Sequence, residues 1–467
     1  MIGLLILLAF STCLLWLFYH DVKERVSVSP AVWIVIIWSA IYSSRPVTEW
    51  FSSGPISLSS QDEGNLTEAL ISLALILSGL VVLHRRGVQL SILIRNNRWL
   101  FVFYLFWLMS LFWSDYPFIT FKRLFKDLGN VVMVLVVLTE RDSGEAIKAV
   151  CNRVAYALIP LSVLLIRYFP DIGRTYSGYD RSQAMWVGVA THKNTLGALA
   201  LVGALFLLWD ILDREKSSKG RTKDGIFVAR ILVLLMSWYL LLIANSMTSL
   251  LCALLGSILL VVLGRPSIRQ RPGRLEVCGL GAGVTLLMLE WVFNVKETLL
   301  LSVGRDETLT TRTDIWPILM NFQDSPLLGA GFNTFWAGQR LISLFEKVGG
   351  IIQAHNGYIE TYLNGGLVGV GLLLVLLLSG YTRIRKELIT GMPEGSIRLV
   401  ILLVAVIYNY SEASFNKVSL LWLLTLFAVM QYRAHPPLPQ TDFLPTASMT
   451  DRTFQDDGVR PVTEPPH

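Results

Sequence analysis

The chain has 467 residues, of which 53% are hydrophobic and only 16% charged, with a mean hydropathy of +0.55. Soluble domains carry roughly 25% charged residues, so this composition excludes an ordinary soluble enzyme. The net charge of +6 is concentrated in short connecting segments, where it reports membrane topology and not a nucleic-acid partner.

Apolar runs of about 20 residues recur from end to end, the pattern of an all-α polytopic membrane protein. The ten-residue alternation of an outer-membrane barrel is absent. Met1–Phe18 lacks a basic leader and a small-residue cleavage site, so it reads as a retained span. Further spans are expected near 31–44, 66–84, 99–114, 127–139, 148–168, 191–211, 227–245, 247–264, 276–294, 363–381, 398–412 and 417–432, a bundle of about 12–13 helices. The runs at 31–44 and 398–412 are short and are expected to extend into their polar flanks. Cys13, Cys151, Cys252 and Cys278 fall in or beside apolar runs without a CxxC pair, so neither disulfides nor a metal cluster is expected.

Four loops carry the basic residues. They hold Arg85, Arg86, Arg95 and Arg98; Arg214, Lys216, Lys219, Arg221 and Lys223; Arg265, Arg269, Arg271 and Arg274; and Arg383, Arg385 and Lys386. Counting spans puts all four on one side, which the positive-inside rule makes the cytoplasm. The N-terminus is then outside, the C-terminus inside, and the long polar loop 295–362 lies on the outer, periplasmic face. Residues 1–432 read as one membrane domain. Residues 433–467, rich in Pro, Thr, Asp and Gln, read as a disordered cytoplasmic tail.

Polar residues gather at the outer span ends. The fourth span closes on Trp113, Ser114, Asp115 and Pro117, followed by Lys122 and Arg123. An interfacial aromatic belt with lipid-facing cations accounts for such a run. The seventh span opens on Thr191, His192, Lys193 and Asn194. Two basic-type side chains at a span mouth are costly unless they face water or a polar cavity. The turn Asn245–Ser249 reads as helix ends and helix packing. Glu412 ends the twelfth span and either meets an arginine of the long loop or is solvated.

The long loop carries the chemistry. Arg305 and Arg312 flank a Thr-rich turn, and guanidinium forks suit phosphate oxygens. Arg312 and Trp316 share a face if 308–322 is helical, and Pro317 suggests a helix start near Thr313. Pro326, Gly329 and Gly331 make a tight reversal. His355 and Asn356 stand just before the next span, where an imidazole can take a proton. Asp306, Asp314, His355 and Glu360 lack metal-ligand spacing, so no metal and no cofactor is expected.

Arg305, Arg312, Trp316, Pro326, Gly329, Gly331, His355, Tyr358 and Gly366 together resemble the O-antigen ligase and Wzy-type polymerase superfamily. WSDYP with Arg123, THKNTLG, and SRPVTEW at Ser44–Trp50 resemble its ExoQ-like exopolysaccharide polymerase branch. The resemblance implies a helical bundle beneath a partly helical outer loop, in the bacterial inner membrane. It implies a metal-independent glycosyl transfer from undecaprenyl-pyrophosphate-linked oligosaccharide, with flippase and chain-length or export proteins as pathway partners and no nucleic acid. Arg312 would hold the pyrophosphate and His355 would act at the acceptor. The ligases often carry an arginine where this chain has Met247, so a second phosphate-binding cation falls to Lys193, Arg123 or Arg305. That pattern favours a polymerase over a ligase. Inversion at the anomeric carbon is expected, because no carboxylate is placed as a covalent nucleophile. A transporter or flippase is the rival from another class. It would place polar residues at the membrane midplane and in related halves.

Overall fold

The computed structural model describes residues 2–51, 65–177, 183–216, 225–274, 276–279, 281, 310–347, 353–392 and 394–432. The expected span 276–294 for the most part, the tail 433–467, and Arg305 lie outside the described residues.

Short turns of helix aside, the main helices are α1 (Ile2–Glu24), α2 (Val32–Ser43), α3 (Val47–Phe51), α4 (Leu66–Arg85), α5 (Arg98–Met109), α6 (Pro117–Leu138), α7 (Ser143–Tyr168), α8 (Lys193–Lys216), α9 (Gly225–Ile243), α10 (Met247–Leu263), α11 (Thr310–Asn321), α12 (Gly338–Lys347), α13 (Gly357–Ile389), α14 (Gly395–Ser411) and α15 (Leu420–Val429). Six of them, α1, α4, α7, α8, α9 and α13, are long and apolar enough to cross a membrane, and α2, α10, α14 and α15 are shorter apolar helices, as is the stretch Arg98–Phe112. The fold is that of an all-α polytopic membrane protein. Among the described residues the one β element is a hairpin, Arg174–Ser177 paired antiparallel with Gln183–Trp186, in a loop where no strand was expected. Arg174 stacks 4.4 Å over the Trp186 ring across that pair.

Local signals explain several helix starts. Asn65 accepts from the Thr67 amide, Asp142 from Glu145, and Ser419 from Trp422, each satisfying an otherwise orphan donor. The short run at 31–44 stays short, because α2 stops ahead of Pro46, which disfavours helix in the residue before it.

Two boundaries differ from expectation. The span expected at 127–139 begins ten residues earlier, at Pro117, where proline suits the first helical position. Phe118, Phe121, Phe125 and Leu128 form one exposed stripe on α6, while Leu124, Asp127 and Asn130 are buried on the other. Lys122, Arg123 and Lys126 are therefore helix residues. The span expected at 363–381 belongs to a 33-residue helix starting at Gly357, broken at Gly366 (φ 60°, ψ −163°).

Helices α7 and α8 form the centre, with 78% and 72% of their spanning windows buried, against 11% for α1 and 22% for α4. All ten residues of α15 are buried as well.

Charged groups collect at one end of the bundle. Arg25 meets Asp21 at 3.1 Å, Asp210 at 2.8 Å, and Glu145. Arg153 meets Asp21 at 2.7 Å, and Arg230 meets Asp210 at 3.1 Å and Glu24. The expected spans ran through Arg153 and Arg230 as if they were ordinary span residues. Their partners lie on α1 and α8, far away in sequence. The same end holds the basic loops. Arg86 bonds Glu140, Arg385 meets Glu276 at 2.7 Å, and Arg398 meets Glu394 at 3.2 Å. Ser143 bonds Glu394 at 2.6 Å and ties the start of α7 to the start of α14. We call this the basic end and the opposite one the loop end.

Candidate functional site

The loop end is built around the break in α13. A glycine there adopts φ 60° without a Cβ penalty, and the backbone it exposes binds the 326–331 reversal. Leu367 N donates to Pro326 O (2.8 Å), Ala330 N to Leu363 O (3.1 Å) and Gly331 N to Asn364 O (2.9 Å). A Cβ on Gly329 would lie 2.3 Å from the Asn364 carbonyl, and one on Gly366 would lie 2.2 Å from the Leu327 carbonyl carbon. The glycines of the motif therefore permit one backbone to lie directly on another.

Helix α11 begins at Thr310, so Pro317 sits in its interior and not in its first turn as expected. Arg312 lies on this helix one turn before Trp316. The Trp316 indole donates to Ala354 O at 3.0 Å, which docks the helix beside His355.

His355 is held from both sides. The Ala354 amide donates to Glu360 Oε1 (2.7 Å), and Trp336 Nε1 donates to Glu360 Oε2 (3.0 Å). Asn356 caps α13 by accepting from the Tyr358 and Ile359 amides, and its Nδ2 donates to Tyr410 O (2.9 Å). Between these anchors His355 takes φ 50°, a region uncommon for residues other than glycine. Such a conformation persists only where its surroundings hold it.

The imidazole faces a carboxylate. His355 Nδ1 lies 3.7 Å from Glu412 Oε2, with side chains 21% and 8% exposed. Gln353 Nε2 lies 3.2 Å from the same ring nitrogen, and Lys417 Nζ donates to Gln353 Oε1 at 3.3 Å. Asn194 Nδ2 donates to Glu412 Oε1 at 2.6 Å, and the Gly357 amide donates to the Glu412 carbonyl at 2.9 Å. The Asn194 amide donates to His192 Nδ1 at 3.2 Å. A cleft of about 160 Å³ opens beside this group, lined among others by Tyr42, His192, Asn194, Gln353 and Glu412. Of the two readings of Glu412 from the sequence, solvation is corrected. The residue is buried, and Asn194 and His355 are among its partners.

The THKN segment is itself positioned by Arg45. Its guanidinium donates to Ile172 O (2.8 Å), Gly188 O (3.1 Å) and Ala190 O (3.1 Å), while its plane stacks 4.9 Å from Trp50. Burial pulls the Arg45 pKa below its ordinary value, opposed by the nearby Glu49 carboxylate. Lys193 is half-buried at the start of α8. Arg123 donates to Asn333 O, and Asn333 Nδ2 donates to Asn416 O at 2.6 Å. Asn416 Nδ2 in turn donates to Thr361 Oγ1 at 3.3 Å, one turn into α13. Asn333 and Asn416 both have positive φ. The turn at 245–249 packs helices: Ser246 and Ser249 hydroxyls meet at 3.0 Å, Thr248 meets Ser411 at 2.6 Å, and Gly197 lies against Ser249.

The structure thus brings His192, Glu412, His355, Asn356 and Trp316 into one neighbourhood. Gln353, Asn194, Arg45, Asn333 and Asn416 complete it and were not singled out as site residues from the sequence. Asn194 was in view within THKN. Arg45 was in view within SRPVTEW, and the other three carried no periodic or spacing signal. A histidine facing a buried carboxylate can accept a proton from a hydroxyl and hold the resulting charge.

Residues 231–376 match the O-antigen ligase family. That interval runs from within α9 to within α13 and contains Arg305, Arg312 and His355. The chain is also 26% identical over 306 residues to the exopolysaccharide production protein ExoQ of Rhizobium meliloti (strain 1021). The match covers 62% of this chain and 66% of that relative, just under two thirds of its length.

Proposed function

We propose that this protein is a membrane glycosyltransferase that joins lipid-linked oligosaccharide repeats into an exopolysaccharide. The donor is a glycan on a polyprenyl diphosphate, undecaprenyl pyrophosphate in the proposed setting of the bacterial inner membrane. The reaction takes place at the loop end, on the periplasmic face. Transfer to a hydroxyl needs a base at the acceptor oxygen and positive charge on the departing diphosphate. His355, paired with Glu412, is the base. Arg312 binds the diphosphate, with Arg305, Lys193 and Arg123 as further cations. One displacement inverts the anomeric centre. The energy of the transfer comes from the lipid diphosphate bond, so no nucleotide is required on that face.

The observation that carries this reading is the His355–Glu412 pair at 3.7 Å, docked by the Trp316–Ala354 bond against the helix that bears Arg312. The family match across the same segment supports a polymerase- or ligase-like activity, and the relative named for exopolysaccharide production favours the polymerase. Met247 in the 245–249 turn argues the same way. Deletion of the gene, followed by analysis of lipid-linked intermediates, tests the choice. A polymerase predicts accumulated single repeats. Accumulated lipid-linked long chains would instead mean a ligase moving finished glycan to lipid A core or protein.

A further inference from the structure

A second cleft, of about 200 Å³, lies outside the site described above. Its floor is the loop-end portion of α2, and its walls are α4 and α6. Tyr42, Ser44, Glu68, Ser72 and Lys126 line it. The helices that line it also bear exposed apolar side chains, Leu66, Leu70 and Leu73 on α4 and Phe118, Phe121 and Phe125 on α6. In a bilayer such an apolar flank turns to lipid, so the cleft would open sideways to it.

Lys126 sits roughly 13 Å along α6 from Pro117, at 1.5 Å per residue. An ammonium at that depth is expensive unless something neutralises it. Among the described residues no carboxylate lies within ion-pair distance of its Nζ, which rests 4.9 Å over the Tyr42 ring. A cation–π contact offsets only part of that cost. The Tyr42 hydroxyl meets Ser72 Oγ at 2.7 Å, one turn deeper in α4 than Glu68. Glu68, whose charge acts on Lys126 across the cleft without an ion pair, accepts at its Oε1 from Thr48 at 2.8 Å, on the short helix α3 beyond the end of α2. The cleft thus has a cation on the hydrocarbon side and an anion on the water side.

We infer that this cleft holds the headgroup of a zwitterionic phospholipid, with its phosphate on Lys126 and its outward ammonium on Glu68. A phospholipid places phosphate next to the glycerol and the amine farther out, which is the order of charges along the cleft. A purely anionic headgroup would satisfy Lys126 but meet the Glu68 carboxylate. The inference rests on α2, α3, α4 and α6 and is independent of the roles given to His355 and Arg312.

The test uses the full-length protein in nanodiscs containing equal amounts of phosphatidylethanolamine and phosphatidylglycerol, with undecaprenyl diphosphate as a third competitor. Retained lipid is read by native mass spectrometry. Phosphatidylethanolamine should be retained preferentially by wild type. Lys126→Gln should reduce its retention by about tenfold or more, as expected for loss of a charged hydrogen-bond donor, and Lys126→Arg should keep it. Glu68→Gln, which leaves Lys126 in place, should abolish the preference for the amine lipid, and it stands as an independent readout if Lys126→Gln does not fold. Preference of wild type for phosphatidylglycerol or undecaprenyl diphosphate, or retention unchanged in both variants, would overturn the inference.

Discussion

His355 owes its position to its neighbours on both sides and its chemistry to Glu412. Ala354 and Asn356 are tied to Glu360, Trp316 and Tyr410, so the ring cannot wander. In the proposed role of base, His355 should contribute to turnover and little to donor affinity. His355→Ala should lower the polymerisation rate about 10²–10⁴-fold with donor binding retained, and His355→Gln should fail as well. A reconstituted assay with purified lipid-linked repeat, run beside a donor-binding measurement, separates the two effects. Full activity in the Gln variant would reduce the residue to positioning. Glu412→Gln acts through His355. It should lower turnover and leave donor binding largely intact, because the ring loses the carboxylate 3.7 Å away. Arg312 is argued from its bidentate fork. Arg312→Ala should abolish polymer, and Arg312→Lys should restore little, since an ammonium is a point charge. Near-normal polymer from a well-expressed Arg312→Ala protein would return the residue to ordinary loop surface.

At the scale of elements, the break in α13 and the 326–331 reversal form one unit. Four backbone bonds join them, and the Phe335 amide, just past the reversal, donates to Asn364 Oδ1 at 3.0 Å. Gly329 and Gly366 have positive φ, and a Cβ on either would meet backbone and not a movable side chain. Gly329→Ala or Gly366→Ala should therefore cost about 1–3 kcal/mol in local strain, before any overlap is relieved. Activity should be lost while the membrane helices remain folded. Limited proteolysis of residues 326–347 should accelerate in both variants. Unchanged cleavage would mean that the reversal is not held by α13.

Over the whole molecule, the two ends do different work. The basic end fastens α1, α7, α8 and α9 through Asp21, Arg25, Arg153, Asp210 and Arg230, all of them buried. Removing one partner of a buried pair leaves a charge without compensation, at a cost of about 3–5 kcal/mol. Arg25→Ala and Asp210→Asn should each lower the melting temperature and the yield, although neither residue is near His355. A thermal shift as small as that of a surface substitution would sink the idea. Orientation is tested by reporter fusions. Those after Arg271 and Arg385 should read cytoplasmic, and one near Gln339 should read external. An external signal at Arg271 would invert the membrane and move the site to the other face.

Composition and apolar run length alone determined the all-helical membrane class, because burial in lipid demands long apolar helices whatever they pack against. Residue type and order were enough to mark the long loop, its arginines, its glycines and its histidine. The start of α6 was hidden, since its lipid-facing stripe of phenylalanines alternates with cations that read as interface. Tertiary structure alone decided which groups meet. Asn194 and Glu412 are 218 positions apart, Arg153 and Asp21 are 132 apart, and Trp316 finds Ala354 38 residues on. Local periodicity carries no record of such pairings, because a side chain's face is set by its own helix and its partner by how the helices pack.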